Sequence, residues 1–115
     1  MTGPHIQDSL FNILIRFRQH ELVLSGDIEK MYRQVQVQEC HRDLQMILWR
    51  DHDTNPLKSL RLNTVTYGLT SSSFLSTRCL WQLGEDCNDS RIKNIIQNDF
   101  LVDDLLTGTD SIDDL

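Results

Sequence analysis

Apolar residues recur at helical spacing near the start of the chain, where Ile6, Leu10, Ile13, Leu14 and Phe17 follow the Thr2-Gly3-Pro4 breaker. That period predicts a helix over residues 5–19, with Asp8 near the positive end of its dipole. Leu22-Val23-Leu24, closed by Ser25-Gly26, is a short continuous apolar run and predicts a buried strand that delivers Asp27 at its end. Residues 28–34 read as a turn or short helix, after which Val35 and Val37 alternate with glutamines as a brief extended piece. Strands are predicted at 44–49 and 60–67, joined by the polar turn 51–56 into a hairpin. Gly68 breaks the alternation. Ser71, Ser72 and Ser73 then supply capping hydroxyls for a helix in which Leu75, Cys79, Leu80 and Leu83 share a side. Beyond a polar loop at 86–90, Ile92, Ile95 and Ile96 predict a short helix. Phe100-Leu101-Val102 and Leu105-Leu106 predict two strands joined at an acidic tip, Asp103-Asp104, and residues 111–115 read as the first turn of another helix. No segment repeats another, and none is of low complexity.

With 115 residues and 39% apolar side chains, the chain is sized for one hydrophobic core, and nothing inside it has the composition of a linker. No apolar run is long enough to span a bilayer, so a soluble protein without a membrane partner is expected. Cys40, Cys79 and Cys87 are odd in number and form no CxxC pair; without a leader-like segment they predict reduced thiols and an intracellular, cytoplasmic location. The net charge of −6 argues against a self-sufficient nucleic-acid binder, because phosphate neutralisation needs a surplus of Lys and Arg on one face.

The acidic tip changes this picture. Two adjacent aspartates between apolar strands repel and raise one another's pKa unless a cation is bound. Successive residues of an extended chain point to opposite faces, so only one of Asp103 and Asp104 faces squarely the same way as a carboxylate on a neighbouring strand. Asp27 is the natural third member. Hard oxygen ligands of this kind suit Mg²⁺, and two such ions serve phosphoryl transfer. Asp-Asp is also a common turn dipeptide, and the pair alone decides nothing. Other metal motifs are ruled out by inspection. Leu105 and Thr107 stand where an EF-hand loop starting at Asp103 needs carboxylate or carboxamide side chains, His20-Glu21 lacks the second His of a zinc protease helix, and Cys40-His41 has no partner pair. P-loop, nucleophile-elbow and dinucleotide fingerprints are absent from the sequence.

Three blocks in order complete the reading. Val23-Leu24-Ser25-Gly26-Asp27-Ile28-Glu29-Lys30-Met31-Tyr32, Val65-Thr66-Tyr67-Gly68-Leu69-Thr70-Ser71-Ser72 and Phe100-Leu101-Val102-Asp103-Asp104-Leu105-Leu106-Thr107-Gly108 resemble three reverse-transcriptase motifs, with similar spacings. Together with Thr2-Gly3-Pro4, Arg16-Phe17-Arg18 and Leu48-Trp49-Arg50, they look most like the Pao (BEL) group of LTR retrotransposons. Leu101 departs from the family, which usually has an aromatic residue at that place; here Phe100 stands one step earlier.

The resemblance implies an α+β fold, the palm of a polymerase: a ferredoxin-like antiparallel sheet with helices on one face, here incomplete. Residues 1–115 would be the palm with the end of the fingers, and the remaining fingers, thumb and RNase H would lie elsewhere in a larger polyprotein, in the cytoplasm or a virus-like particle. The implied reaction is template-directed deoxynucleotidyl transfer with two Mg²⁺, or Mn²⁺ in their place, on an RNA or DNA template with primer and dNTP. By the same resemblance Asp27, Asp103 and Asp104 form the catalytic acidic cluster, with the backbone carbonyl of Ile28 as a further metal ligand. The amides of Lys30 and Met31 would lie under the triphosphate, and Tyr32 would exclude a 2′-hydroxyl by its bulk. Tyr67 and Gly68 would border the nascent base pair. Two alternatives stay open: a palm polymerase that makes RNA, against which the bulk of Tyr32 speaks, and a non-catalytic relic or small interaction protein that keeps the fold. The missing basic clamp would account for the negative charge.

Overall fold

The computed structural model describes residues 2–114. It is a mixed α+β structure with antiparallel sheets. In chain order the elements are α1 (Leu10–Phe17), β1 (Leu22–Asp27), α2 (Met31–Gln34), a 3-10 turn (Glu39–Leu44), β2 (Met46–Trp49), β3 (Lys58–Arg61), α3 (Ser72–Asp86), α4 (Ser90–Asn98), β4 (Phe100–Leu101) and β5 (Asp104–Thr109). A last 3-10 turn at Ile112–Asp114 stands where a helix start is predicted, and Leu115 lies outside the described residues. The strands form two separate sheets: three strands in the order β1-β5-β4, and the β2-β3 hairpin.

Two long-range pairings organise the three-stranded sheet. The register of β1 on β5 runs from Leu22 opposite Thr109 to Asp27 opposite Asp104, and β4 folds back on β5 with Leu101 opposite Asp104. β5 therefore lies in the middle, between strands from far earlier and immediately earlier in the chain. α1 packs on β5 and β4, while α3 packs against α4 and α2. β1, predicted to be buried, is an edge strand and mostly exposed, Val23 and Leu24 included. The reason is placement, since α1 lies over β5 and β4 rather than β1.

α1 is shorter than the predicted 5–19. It starts after Ser9, whose Oγ accepts the Asn12 amide at 3.3 Å, and residues 2–8 precede it outside any helix. The apolar side predicted for α3 also differs from what is buried. Of that side only Leu80 is buried, Leu75, Cys79 and Leu83 are exposed, and the helix also buries Ser72, Ser76, Thr77 and Gly84. Gly84 lets α4 approach closely, since a Cβ there would meet Gln97 Cγ at 3.0 Å and Ile96 Cγ2 at 3.2 Å. Ser71 occupies the cap position without a side-chain capping bond, and the Ser72 hydroxyl donates instead to the Thr66 carbonyl.

The second predicted strand of the hairpin, 60–67, splits. β3 pairs with β2 from Lys58 to Arg61, and then the chain leaves β2: Val37 N–H donates to Asn63 O at 2.9 Å, and Val65 N–H donates to Val35 O at 2.9 Å. Val35 and Val37 thereby become the extended piece that the alternation predicts. Among the described residues the buried apolar side chains are Ile13, Met31, Val65 and Leu80, a small core for a molecule 60 Å long and 27 Å across.

Candidate active site

The end of β1 and the start of β5 bring the first and third sequence blocks side by side. Asp27 is directly opposite Asp104. Directly opposed residues on antiparallel strands project to one face with Cβ atoms roughly 4.5–5.5 Å apart. Asp103 lies with Val102 in the two-residue loop that joins β4 to β5, one step before Asp104, and its carbonyl accepts the Ile28 amide at 3.0 Å. Asp104, rather than Asp103, is thus the carboxylate that faces Asp27. Asp27 and Asp104 are exposed and Asp103 is half-buried. Among the described residues none of the three has an ion-pair partner, and no three His, Cys, Asp or Glu side chains gather as a ready-made metal cluster.

The loop at the tip is strained. Val102 has φ 57°, in the left-handed region that a β-branched residue rarely enters. Two-residue hairpin loops ask for positive φ and usually place Gly, Asn or Asp there, because their twist then matches that of the strands. Here a valine occupies the position next to the acidic pair.

The second block reaches the first through two rings. Tyr32, in α2, and Tyr67 have ring centroids 4.8 Å apart at an interplanar angle of 45°. Tyr32 is half-buried beneath this contact, whereas Tyr67 is 61% exposed. Gly68 follows with φ +89° and nothing within 4 Å of a hypothetical Cβ, so its backbone demands glycine while the space above it is open. Lys30 also has a positive φ, 51°, as the residue that turns β1 into α2, and its ammonium pairs with Glu29 at 3.4 Å in solvent. Met31 is buried, and its amide donates to the Ile28 carbonyl at 3.1 Å. A carbonyl oxygen has two lone pairs, so this bond leaves Ile28 one more to give.

Two supporting groups lie outside the three blocks. Arg16 on α1 donates to Asp8 Oδ2 at 2.7 Å, to Asp99 Oδ1 at 3.4 Å and to the Asn98 carbonyl, and Thr107 Oγ1 donates to Asp99 Oδ2 at 2.8 Å. This ties α1 to the residue just before β4 and to the middle of β5. The Arg16 hydrogen bond, helped by Asn12 and the Ser9 amide, holds the Asp8 carboxyl down at about 2, and Asp8 in turn raises the guanidinium. Gln7, next in the chain, bonds twice to Val102. Arg16 carries a motif signal in Arg16-Phe17-Arg18; Gln7 carries none, because a side-chain bond to a distant main chain leaves no periodic trace in sequence. Trp81, half-buried, lies under the Arg78 guanidinium at 4.6 Å, an arrangement of a surface pair on α3.

No protein-family model matches the chain, and neither a curated protein nor a solved structure is similar to it.

Proposed function

We propose that this chain is the catalytic floor of a polymerase palm, from the RNA-directed DNA polymerase of a Pao-type LTR retroelement, and that it serves template-directed deoxynucleotidyl transfer. The observation that carries the reading is the register that sets Asp27 opposite Asp104, with Asp103 tied beside them through Ile28. Two blocks far apart in sequence meet at their acidic residues, where like charges destabilise the sheet unless they have a use. Nearby, the block between them adds Tyr67 to Tyr32.

The donor set fits Mg²⁺ or Mn²⁺. Asp27, Asp103 and Asp104, with the Ile28 carbonyl, are hard oxygen donors on an exposed edge, and Mg²⁺ takes only a few protein ligands while substrate phosphates and waters supply the rest. Bound there, two such ions would supply stabilisation of the charge on the attacking 3′-oxygen and the leaving pyrophosphate. The protein's own part is positioning. Ile28 holds the main chain of Asp103, Tyr67 backs the Tyr32 ring, and that ring excludes a 2′-hydroxyl by volume. Gly68 leaves room for a base pair, and the Lys30 and Met31 main chain would border the triphosphate. Cationic groups that grip template, primer and dNTP would belong to other parts of a larger polyprotein, in keeping with the charge of −6.

The test is primer extension on a homopolymer template by the polypeptide that joins this chain to fingers and thumb encoded beside it. Extension that needs Mg²⁺ or Mn²⁺ and is lost in Asp27→Asn and Asp103→Asn is the expected result. Extension that survives both substitutions would overturn the reading.

A further inference from the structure

Asp103 is held from both sides, and one of the two holders lies outside every motif. On its C-terminal side, its own carbonyl accepts the Ile28 amide at 3.0 Å. On its N-terminal side stands the peptide that joins Val102 to Asp103, and the carbonyl of that peptide accepts Gln7 Nε2 at 3.3 Å. The Val102 amide, in the preceding peptide, donates to Gln7 Oε1 at 2.8 Å. One carboxamide therefore binds both peptide planes that flank Val102, offering the donor and acceptor that a neighbouring strand would offer.

The bracket sits where the backbone most needs one. A non-glycine residue in the left-handed region is strained, and Val102 adds a stiff, branched side chain. Two hydrogen bonds to the same residue offset that strain. Gln7 is itself fixed, because Asp8 beside it is bound to Ser9, Asn12 and Arg16, and upstream the Phe74 ring lies so close over Gly3 that any Cβ there would overlap it.

We propose that Gln7 is a positioning residue, which holds Val102 in its left-handed conformation and so fixes the turn that carries Asp103 next to Asp104, the residue opposite Asp27, for a divalent cation. This rests on the reading of the tip as a metal site. Asn enters the left-handed region more readily than Val, so Val102→Asn should lessen the need for the bracket.

The experiment uses the 115-residue chain labelled with ¹⁵N, amide hydrogen exchange, and Mn²⁺ line broadening at Asp103 and Asp104. Gln7→Met should speed exchange of the Val102 amide about tenfold, leave that of Ile13 in α1 unchanged, and weaken Mn²⁺ binding several-fold. Gln7→Glu, which keeps the acceptor, should leave the Val102 amide protected. Adding Val102→Asn to Gln7→Met should restore Mn²⁺ affinity. Unchanged exchange and affinity in Gln7→Met, equal acceleration at Ile13 and Val102, loss of protection in Gln7→Glu, or no rescue by Val102→Asn would each overturn the proposal. If the wild-type chain shows no broadening at the tip, the metal reading falls and the positioning role with it. Broadening that Gln7→Met leaves untouched removes only the role of Gln7.

Discussion

Gly68 and Tyr32 show how differently single residues are constrained around the site. At Gly68 the backbone alone decides, because φ is +89° while no atom crowds the position. Gly68→Ala should therefore destabilise the chain by about 1–2 kcal/mol from backbone strain, with Gly68→Asn costing less, as urea denaturation would measure. At Tyr32, under the proposed function, side-chain volume would decide. In an enzyme with fingers and thumb, Tyr32→Ala should raise ribonucleotide over deoxyribonucleotide incorporation, whereas Tyr32→Phe should change little, since the ring and not its hydroxyl fills the space. The ratio of kcat/KM for the two sugars reads this directly, and an unchanged ratio in Tyr32→Ala would assign the gate to another residue. Because Tyr67 lies against the same ring, Tyr67→Ala should loosen the selection part of the way. The aspartates, both tyrosines and Gly68 were marked in sequence by motifs, and of these the fold brings Asp27 opposite Asp104 and Tyr32 against Tyr67. Gln7 and the strained Val102 were not, since one acts through its amide on a distant main chain and the other reads as an ordinary strand residue.

Element boundaries moved where long-range bonds outweighed local period. The predicted helix 5–19 begins only at Leu10, because Gln7 and Asp8 spend their side chains on the hairpin tip and on Arg16. The strand predicted at 60–67 ends at Arg61 because Asn63 and Val65 bond to Val37 and Val35 rather than to the hairpin partner. α3 misled for another reason: Leu75 and Leu83 are exposed, while Ser72, Ser76, Thr77 and Gly84 join Leu80 in the packed face. Hairpin, short helices and the acidic tip kept their predicted order, since alternation and breakers there agree with the tertiary pairing. The junction of α1 with β4 is also where acid should act. Asp8 titrates at about 2 when folded, below its ordinary value of 3.8, because Arg16 binds the ionised form. A depressed carboxyl stabilises the fold fully above its ordinary pKa and ceases to do so as pH falls through the folded value. Stability should thus decline from about pH 4 towards pH 2, and Asp8→Asn should flatten that part of a Tm-against-pH curve; an identical slope in the variant would remove Asp8 from the account.

At the scale of the whole molecule, shape and surface point the same way. A radius of gyration of 18.2 Å exceeds the roughly 13 Å of a compact chain this size, and the β2-β3 hairpin exposes apolar residues on both faces. Leu44 is 80% and Leu48 69% exposed. Apolar surface of this extent favours association, so sedimentation velocity should show assembly rising with concentration and falling in Leu48→Lys. The chain alone should not extend primers, because catalysis of this type depends on holding triphosphate and primer end in line, and the acidic edge offers neither grip. What it should do alone is bind the cation. Calorimetric titration of the 115-residue chain with Mg²⁺ and Mn²⁺, beside Asp27→Asn and Asp103→Asn, measures this binding. Weak binding by the wild-type chain that is lost in both variants is the predicted result, since Mg²⁺ draws part of its shell from phosphates. Equal heats from all three proteins would contradict it.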